Sequence, residues 1–392
     1  MKSISLTASL LLGALALFAA TPKSAAQTPV LNIEGSAAGA KLVPIAIKGF
    51  SGEADRVVRF DLEAIGFKIV PEEESVWVLS GKSDGAQVEG QLYDRVRKAY
   101  PFAKNYVGGS TRTQAHTLAD DVVAAIHGLP GIFNTKIAFR ASSGRNHEIN
   151  LSDFDGFDAR QVTTEGKLVA APVWIPKKWG MLYTTYRTGY PHIYAHDLGT
   201  GQRQVVARYP GLNSSAAVSP DGKQVAMILS KNGNPDVYVS DMDGSNLIRL
   251  TNTPEDESSP CWSPDGRTIC FAGRPGERRS LAVVPSSGGK VVRLRTSGIL
   301  NPSEPEWSPD GKWIAFTSQM GGFQICRVAA EGGDAEVLVE GEDPTWAPNS
   351  RTILFSQRKG GKRVLSLLDV PTKRVKDTLQ VSGSRDQPTW AK

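Results

Sequence analysis

One pattern recurs six times along the second two thirds of this chain, and it restricts the fold more than any other feature. Pro172-Val-Trp-Ile-Pro, Ala216-Ala-Val-Ser-Pro-Asp-Gly, Pro260-Cys-Trp-Ser-Pro-Asp-Gly, Pro305-Glu-Trp-Ser-Pro-Asp-Gly, Pro344-Thr-Trp-Ala-Pro-Asn and Pro388-Thr-Trp-Ala are versions of one another. Measured between their central residues (Trp174, Val218, Trp262, Trp307, Trp346 and Trp390), the intervals are 44, 44, 45, 39 and 44. A period of about 40–50 residues built from short alternating strands is the mark of a β-propeller blade.

Each repeat parses into four strands. The first ends at the Trp, and Ser-Pro-Asp-Gly then turns the chain, with Pro presetting φ and Gly accepting a positive φ. The second strand alternates, as in Lys312-Trp-Ile-Ala-Phe-Thr-Ser. The third follows a Gly- or Asn-rich turn, as in Asp236-Val-Tyr-Val-Ser, and the fourth resembles Asn246-Leu-Ile-Arg-Leu-Thr. Thr135-Lys-Ile-Ala-Phe-Arg, Glu148-Ile-Asn-Leu-Ser and Gln161-Val-Thr supply second, third and fourth strands with no Pro-x-Trp strand before them. Asp386 to Lys392 supplies that strand and nothing else. The expected result is six blades, the first completed by the C-terminal strand.

Residues 27–129 read as a small α/β domain. Leu42-Val-Pro-Ile-Ala-Ile is a strand, and Glu53 to Ile65 has helical spacing and stops at Gly66. Short strands are expected at Phe67–Val70, Val76–Leu79 and Gln87–Leu92, and a second helix from Thr113 to His127, ended by Gly128. His127 sits where an imidazolium would suit the helix dipole. Leu129-Pro-Gly-Ile-Phe joins this domain to the propeller, expected over residues 130–392.

Ahead of it, Met1-Lys runs into the apolar stretch Ile4 to Ala20, and Ser24-Ala25-Ala26 offers small residues for cleavage. Residues 1–26 read as an export signal, leaving Gln27 first. No later run approaches the roughly 20 apolar residues of a spanning helix. A net charge of +5, from 45 basic and 40 acidic side chains, is interspersed and forms no basic stripe of the kind nucleic acid requires. Cys261, Cys270 and Cys326 lie in expected strands and read as small buried hydrophobes; an odd count leaves a free thiol in an oxidising compartment. A Cys261–Cys270 bridge across a hairpin is the alternative.

The junction Ala119-Asp-Asp-Val-Val-Ala-Ala-Ile-His-Gly-Leu-Pro-Gly-Ile-Phe-Asn-Thr-Lys-Ile-Ala-Phe, then Ser152-Asp-Phe-Asp-Gly and the Ser-Pro-Asp-Gly repeats, resembles the TolB family, the periplasmic component of the Tol–Pal system of Gram-negative envelopes. The resemblance covers nearly all of residues 27–392 and is weakest over residues 51–104, a region shorter than usual for the family. It implies a periplasmic, monomeric, non-enzymatic adaptor without cofactors, serving envelope integrity and outer-membrane constriction at cell division. It also implies a TolA-like partner at Val30, Leu31, Asn32, Ile33, Glu34 and Gly35. A Pal-like lipoprotein would bind at the channel mouth, on Asn213, Ser214, Ser215, Ser258, Ser259, Ser303, Glu304 and Asp343. Leu212 stands where the family commonly has a His.

Other chemistry has a plainer reading. Gly81-Lys-Ser83-Asp-Gly85 matches a nucleophile elbow in form, but the strand-like Gln87-Val-Glu-Gly-Gln-Leu after it points to a hairpin turn. His192 and His196 share a strand face roughly 13 Å apart, too far for one metal, and a half-exposed blade strand is expected. Asp153-Phe-Asp155-Gly-Phe-Asp158 lacks the Glu that closes a calcium loop, so a blade turn is expected. The rival functions are a small-ligand or sugar-binding propeller, which needs aromatic residues at the channel mouth, and a propeller hydrolase.

Overall fold

The computed structural model describes residues 39–144, 146–274, 278–379 and 383–392; the expected signal peptide and the Val30–Gly35 segment lie outside them. The α/β part opens with β1 (Val43–Lys48) and α1 (Gly52–Ala64), followed by β2 (Phe67–Ile69), β3 (Trp77–Ser83), β4 (Gln87–Asp94), β5 (Ala99–Val107) and α2 (Thr111–His127). The sheet order is β2-β1-β3-β4-β5, with β1 parallel to both neighbours and the remaining pairs antiparallel. Val57, Val58 and Leu62 of α1 pack with Leu118 and Val122 of α2 over Ile45, Leu79, Val88 and Leu92 of the sheet. A Cβ at Gly90 would meet the Leu118 side chain at 2.5 Å, so the close approach of α2 to β4 needs glycine there.

The second helix starts two residues earlier than its apolar spacing indicates because Ser110 caps it, accepting from the Thr113 N–H at 3.1 Å, and Gly128 ends it at φ 65°. His127 is in its expected place without the expected charge. Burial and the nearby Arg351 guanidinium push its pKa down to about 3, and its ring packs edge-on to Phe67. The unexpected strand is β5, whose Pro101 and polar residues suit a sheet edge.

Six four-stranded antiparallel sheets follow. Blade I joins β6 (Lys136–Ser143), β7 (Asn146–Asp153) and β8 (Arg160–Gln161) to the inner strand Ser384–Trp390, in which Trp390 pairs with Ile137. The inner strands of blades II to VI are Val169–Trp174, Asn213–Val218, Ser258–Trp262, Pro302–Trp307 and Glu342–Trp346. In each Ser-Pro-Asp-Gly turn the Ser hydroxyl donates to the Asp carboxylate, as from Ser219 to Asp221 at 2.6 Å, and accepts the N–H that opens the second strand.

Three of the repeated Trp residues reach across to the previous blade, while Trp307 bonds Gly311 of its own turn and Trp390 bonds Thr135. The indole N–H of Trp262 donates to the carbonyl of Ala217 at 2.9 Å, that of Trp346 to Glu306 at 3.2 Å, and that of Trp174 to Thr389 at 3.3 Å. Each acceptor precedes the corresponding residue of the previous blade. A buried indole whose N–H is satisfied in this way contributes both apolar area and alignment.

Five separate apolar clusters fill the wedges between successive blades I to VI. The sixth wedge, between blades VI and I, is different. There Leu354, Leu365, Leu367, Ile137, Phe139 and Trp390 are continuous with the core of the α/β part. Polar contacts follow the same seam: Arg374 donates to the Phe67 carbonyl at 2.6 Å, Lys376 pairs with Glu63 at 2.5 Å, and Arg112 bridges Asp153 and Asp155. Inside the seam, His116 and Asp61 form a buried pair at 2.7 Å.

Candidate functional site

Every inner strand carries the same irregularity. Register shifts occur between Ala170 and Val173, Ser214 and Ala217, Ser258 and Cys261, Ser303 and Glu306, Glu342 and Thr345, and Asp386 and Thr389. At each, two residues of the inner strand oppose one residue of the next strand, which is a β-bulge. The single opposing residues are Tyr183, Met227, Phe271, Phe316, Phe355 and Phe139, all at most 1% exposed. A large side chain under each bulge therefore holds it in shape.

The first bulged residue is left-handed every time: Ala171 (φ 49°), Ser215 (53°), Ser259 (52°), Glu304 (52°), Asp343 (57°) and Gln387 (47°). None is glycine, and all but Ser215 precede proline, a context that favours extended backbone. Such positions cost about 1–3 kcal/mol each and persist where surrounding structure over-determines them. All six are half-buried and line one cavity of 520 Å³ along the propeller axis.

Half of this ring is linked. The Asp343 N–H donates to Glu304 Oε2 at 3.2 Å, the Gln387 N–H to Asp343 Oδ2 at 3.0 Å, and the Ala171 N–H to Gln387 Oε1 at 2.9 Å. Thus a side chain on one blade satisfies a backbone donor that the bulge frees on the next. Thr317 and Ser356 add hydroxyl donors to Glu304 and Asp343 at 2.6 and 3.0 Å. The other arc, Ala171, Ser215 and Ser259, presents short side chains. Burial, then the nearby Glu304 carboxylate, pushes the Asp343 pKa up to about 8. The strand openings beside it are tied by Arg363, which bonds Glu342 at 2.6 Å and Asp386 at 3.2 Å.

Of the eight expected mouth residues, Ser215, Ser259, Glu304 and Asp343 line the cavity. Ser214, Ser258 and Ser303 are half-buried and immediately precede three of them. Asn213 is fully buried, and its amide is consumed by the loop before it. It donates to the carbonyls of Tyr209 and Gly211 at 2.7 and 3.2 Å and accepts from the Tyr209 N–H. It shapes the loop and offers no exposed polar group. Ala171 and Gln387 were not anticipated, although both lie three residues before a repeat Trp, as Ser259, Glu304 and Asp343 do. Also unanticipated are the aromatic lining residues, Trp174, Trp262, Trp307 and Trp390, which accompany Pro176, Pro220, Pro264 and Pro309 in the cavity wall.

The remaining motifs are structural. Asp84 turns the β3–β4 hairpin by accepting from the N–H groups of Ala86 and Gln87, both at 2.9 Å. Asp153 and Asp155 flank a blade turn, with the Asp153 N–H donating to Phe157 O at 2.9 Å, and both face Arg112. His192 and His196 are buried, at 9% and 5% exposure, where a half-exposed strand was expected. The reason is that their strand packs in the third layer of blade II, with His196 edge-on to Tyr183. Among the described residues, no group of three or more His, Cys, Asp or Glu is placed to hold a metal, and no helix is long and apolar enough to cross a membrane.

Known proteins share this architecture. The model of the PD40 TolB beta propeller domain matches residues 123–392. The Tol-Pal system protein TolB of Azoarcus sp. (strain BH72) is 32% identical over 210 residues, 45% of this chain and 49% of that protein. That of Aromatoleum aromaticum is 33% identical over 217 residues, 47% of this chain and 51% of that protein. The chain thus spans about half the length of the curated relatives it matches. The crystal structure of TolB from Acinetobacter baumannii superposes with a TM-score of 0.81 at 24% identity, covering 90% of this chain and 98% of that one. With more than half of its length matched by the family model, the chain belongs to the TolB β-propeller family.

Proposed function

We propose that the protein is a non-enzymatic adaptor of a Tol–Pal-type envelope complex, acting in the periplasm. In this reading residues 1–26 direct export, residues 27–129 form the α/β domain, and residues 130–392 form the propeller. A Pal-like outer-membrane lipoprotein seats at the channel on Ser215, Ser259, Glu304 and Asp343, with Ser214, Ser258 and Ser303 beside them. A TolA-like inner-membrane protein takes residues 30–35, a segment suited to joining another protein's sheet edge. The joint role is to couple the two membranes for envelope integrity and constriction at division.

The observation that carries this reading is the ring of six left-handed bulges on a rigid concave wall. Such a ring holds its side chains in fixed positions on the wall, which lowers the ordering cost of binding a partner. The Tol-Pal names of the relatives agree with it. Titration calorimetry with the soluble domain of a Pal-like lipoprotein tests it. Micromolar or tighter binding is expected, and no heat at that concentration removes the reading's main support.

A second reading rests on the size of the axial cavity. A 520 Å³ cavity is of the size that holds a small ligand or a sugar. A ligand screen by thermal shift separates this reading from the first.

A further inference from the structure

We propose that Cys261 and Cys270 form a reversible disulfide across the two innermost strands of blade IV, with Cys261 as the thiol that meets the oxidant in the channel. The two residues are direct partners in the antiparallel ladder between Ser258–Trp262 and Thr268–Gly273. Directly opposed residues of such a ladder have Cα atoms roughly 4.5–5.5 Å apart, inside the roughly 4.4–6.8 Å that a disulfide spans. Opposed residues also share a sheet face. Cys270 is buried in the cluster between blades IV and V, and Cys261 packs against the same cluster.

Their difference in exposure sets the order of events. Cys261 is half-buried and lines the cavity, whereas Cys270 is fully buried one strand behind it. The corresponding pairs in neighbouring blades are Ala217 with Ala226 and Glu306 with Ala315. Blade IV therefore has two thiols at an ordinary position of the propeller ladder, and bridging them requires no new backbone arrangement. Cys326 pairs with Phe316 and Val337 in blade V and has no cysteine opposite it in its own sheet. Burial, then the Cys261 thiol, holds the Cys270 pKa well above its ordinary value, so Cys270 is not the thiol that attacks the oxidant first.

The oxidant is a small disulfide or a dithiol oxidase in its disulfide form. The Cys261 thiolate attacks one sulfur of the oxidant, whose S–S bond breaks and releases one thiolate. The Cys270 thiolate then attacks the Cys261 sulfur of the mixed disulfide and displaces the second. Two protons leave the cysteines and are taken up by the two thiolates, so the protein loses two hydrogens and the oxidant becomes two thiols.

The test uses the full chain and oxidised glutathione as the probe, followed by denaturation, maleimide labelling and peptide mass mapping. The expected product has a mass lower by two hydrogen atoms, one labelled thiol at Cys326, and a Cys261–Cys270 linked peptide that dithiothreitol separates. Cys326→Ser should leave the bridge intact, and Cys261→Ser should leave both Cys270 and Cys326 labelled. Cys270→Ser should trap a glutathione adduct on Cys261. Should that variant fail to fold, partial oxidation of the unaltered chain gives the same mixed disulfide as a transient. Three labelled thiols after oxidation, a stable adduct on Cys261 of the unaltered chain, or a bridge that includes Cys326 or a second chain would each overturn the proposal.

Discussion

Arg140 and Asp386, 246 positions apart in the chain, meet in a two-point ion pair, with both contacts at 2.7 Å. Arg363 of blade VI adds a third bond to the same carboxylate at 3.2 Å. Asp386 is 3% exposed, so these charges neutralise one another largely out of water. The pair fastens the strand that completes blade I to the strand beside it.

Removing one partner should therefore be expensive. Asp386→Ala leaves the Arg140 guanidinium without its carboxylate, while Arg363 keeps Glu342, and should cost about 3–5 kcal/mol. Lys104→Ala, which breaks the exposed pair with Asp121, should cost about 0–1 kcal/mol. Urea denaturation of the two variants compares them directly. Deleting residues 386–392 also removes the buried Trp390, and a truncated protein melting within about 2 °C of the full chain would contradict this account of closure.

The left-handed ring makes a prediction of the opposite sign. Ala171→Gly relieves the strain at φ 49° and should stabilise the protein by about 0.5–1 kcal/mol, after allowing for the greater freedom of glycine in the unfolded chain. Ala171→Val places a β-branched residue there and should destabilise. Equal melting temperatures for all three proteins would mean that the ring stores no strain.

Stability should fall as pH rises through neutrality. Burial raises the pKa of Asp343 to about 8, and also those of Asp61 and Glu257 to about 7. A carboxyl with a higher pKa folded than unfolded binds its proton more tightly when folded. Its contribution is full below about pH 4 and is lost as pH climbs towards the folded value. Asp343→Asn should flatten the decline between pH 5 and 9. An unchanged slope in the variant would show that Asp343 is ionised throughout.

Partner binding should be separable from folding. Ser215→Arg and Ser259→Arg fill the small arc of the ring without touching the bonded arc, and should weaken a Pal-like partner at least tenfold at fixed salt. Charge reversal of Glu304 should also weaken it, but with a lower melting temperature, since Glu304 accepts the Asp343 N–H. Deleting residues 28–35 should abolish TolA-like binding and leave the melting temperature within about 2 °C. Intact affinity in the deletion moves that site elsewhere.

Much of this architecture is legible from spacing alone. The Trp period marks the inner strands, and the unpaired strand at Trp390 gives the closure, because the first blade is the one that lacks an inner strand. The ring was legible in principle, since each member lies three residues before a repeat centre. What hid it is that a left-handed bulge has no residue preference strong enough to mark it: Ala, Ser, Glu, Asp and Gln all occur. Asn213 misled because a polar residue at a strand opening can face solvent or tie up its own loop, and sequence does not distinguish them. The edge strand β5 was hidden by Pro101 and by its lack of an apolar face.

Blade I has an inner strand made some 240 residues after its neighbour, and this affects when the protein can fold as well as how firmly. Until Ser384–Trp390 exists, β6 has a bare edge and the seam beneath the α/β part lacks Trp390. The early part of the chain can form helices and hairpins during synthesis, but its first blade must wait for the last. The first blade therefore cannot be completed until Ser384–Trp390 has been made, and its closure is among the longest-range contacts the fold requires.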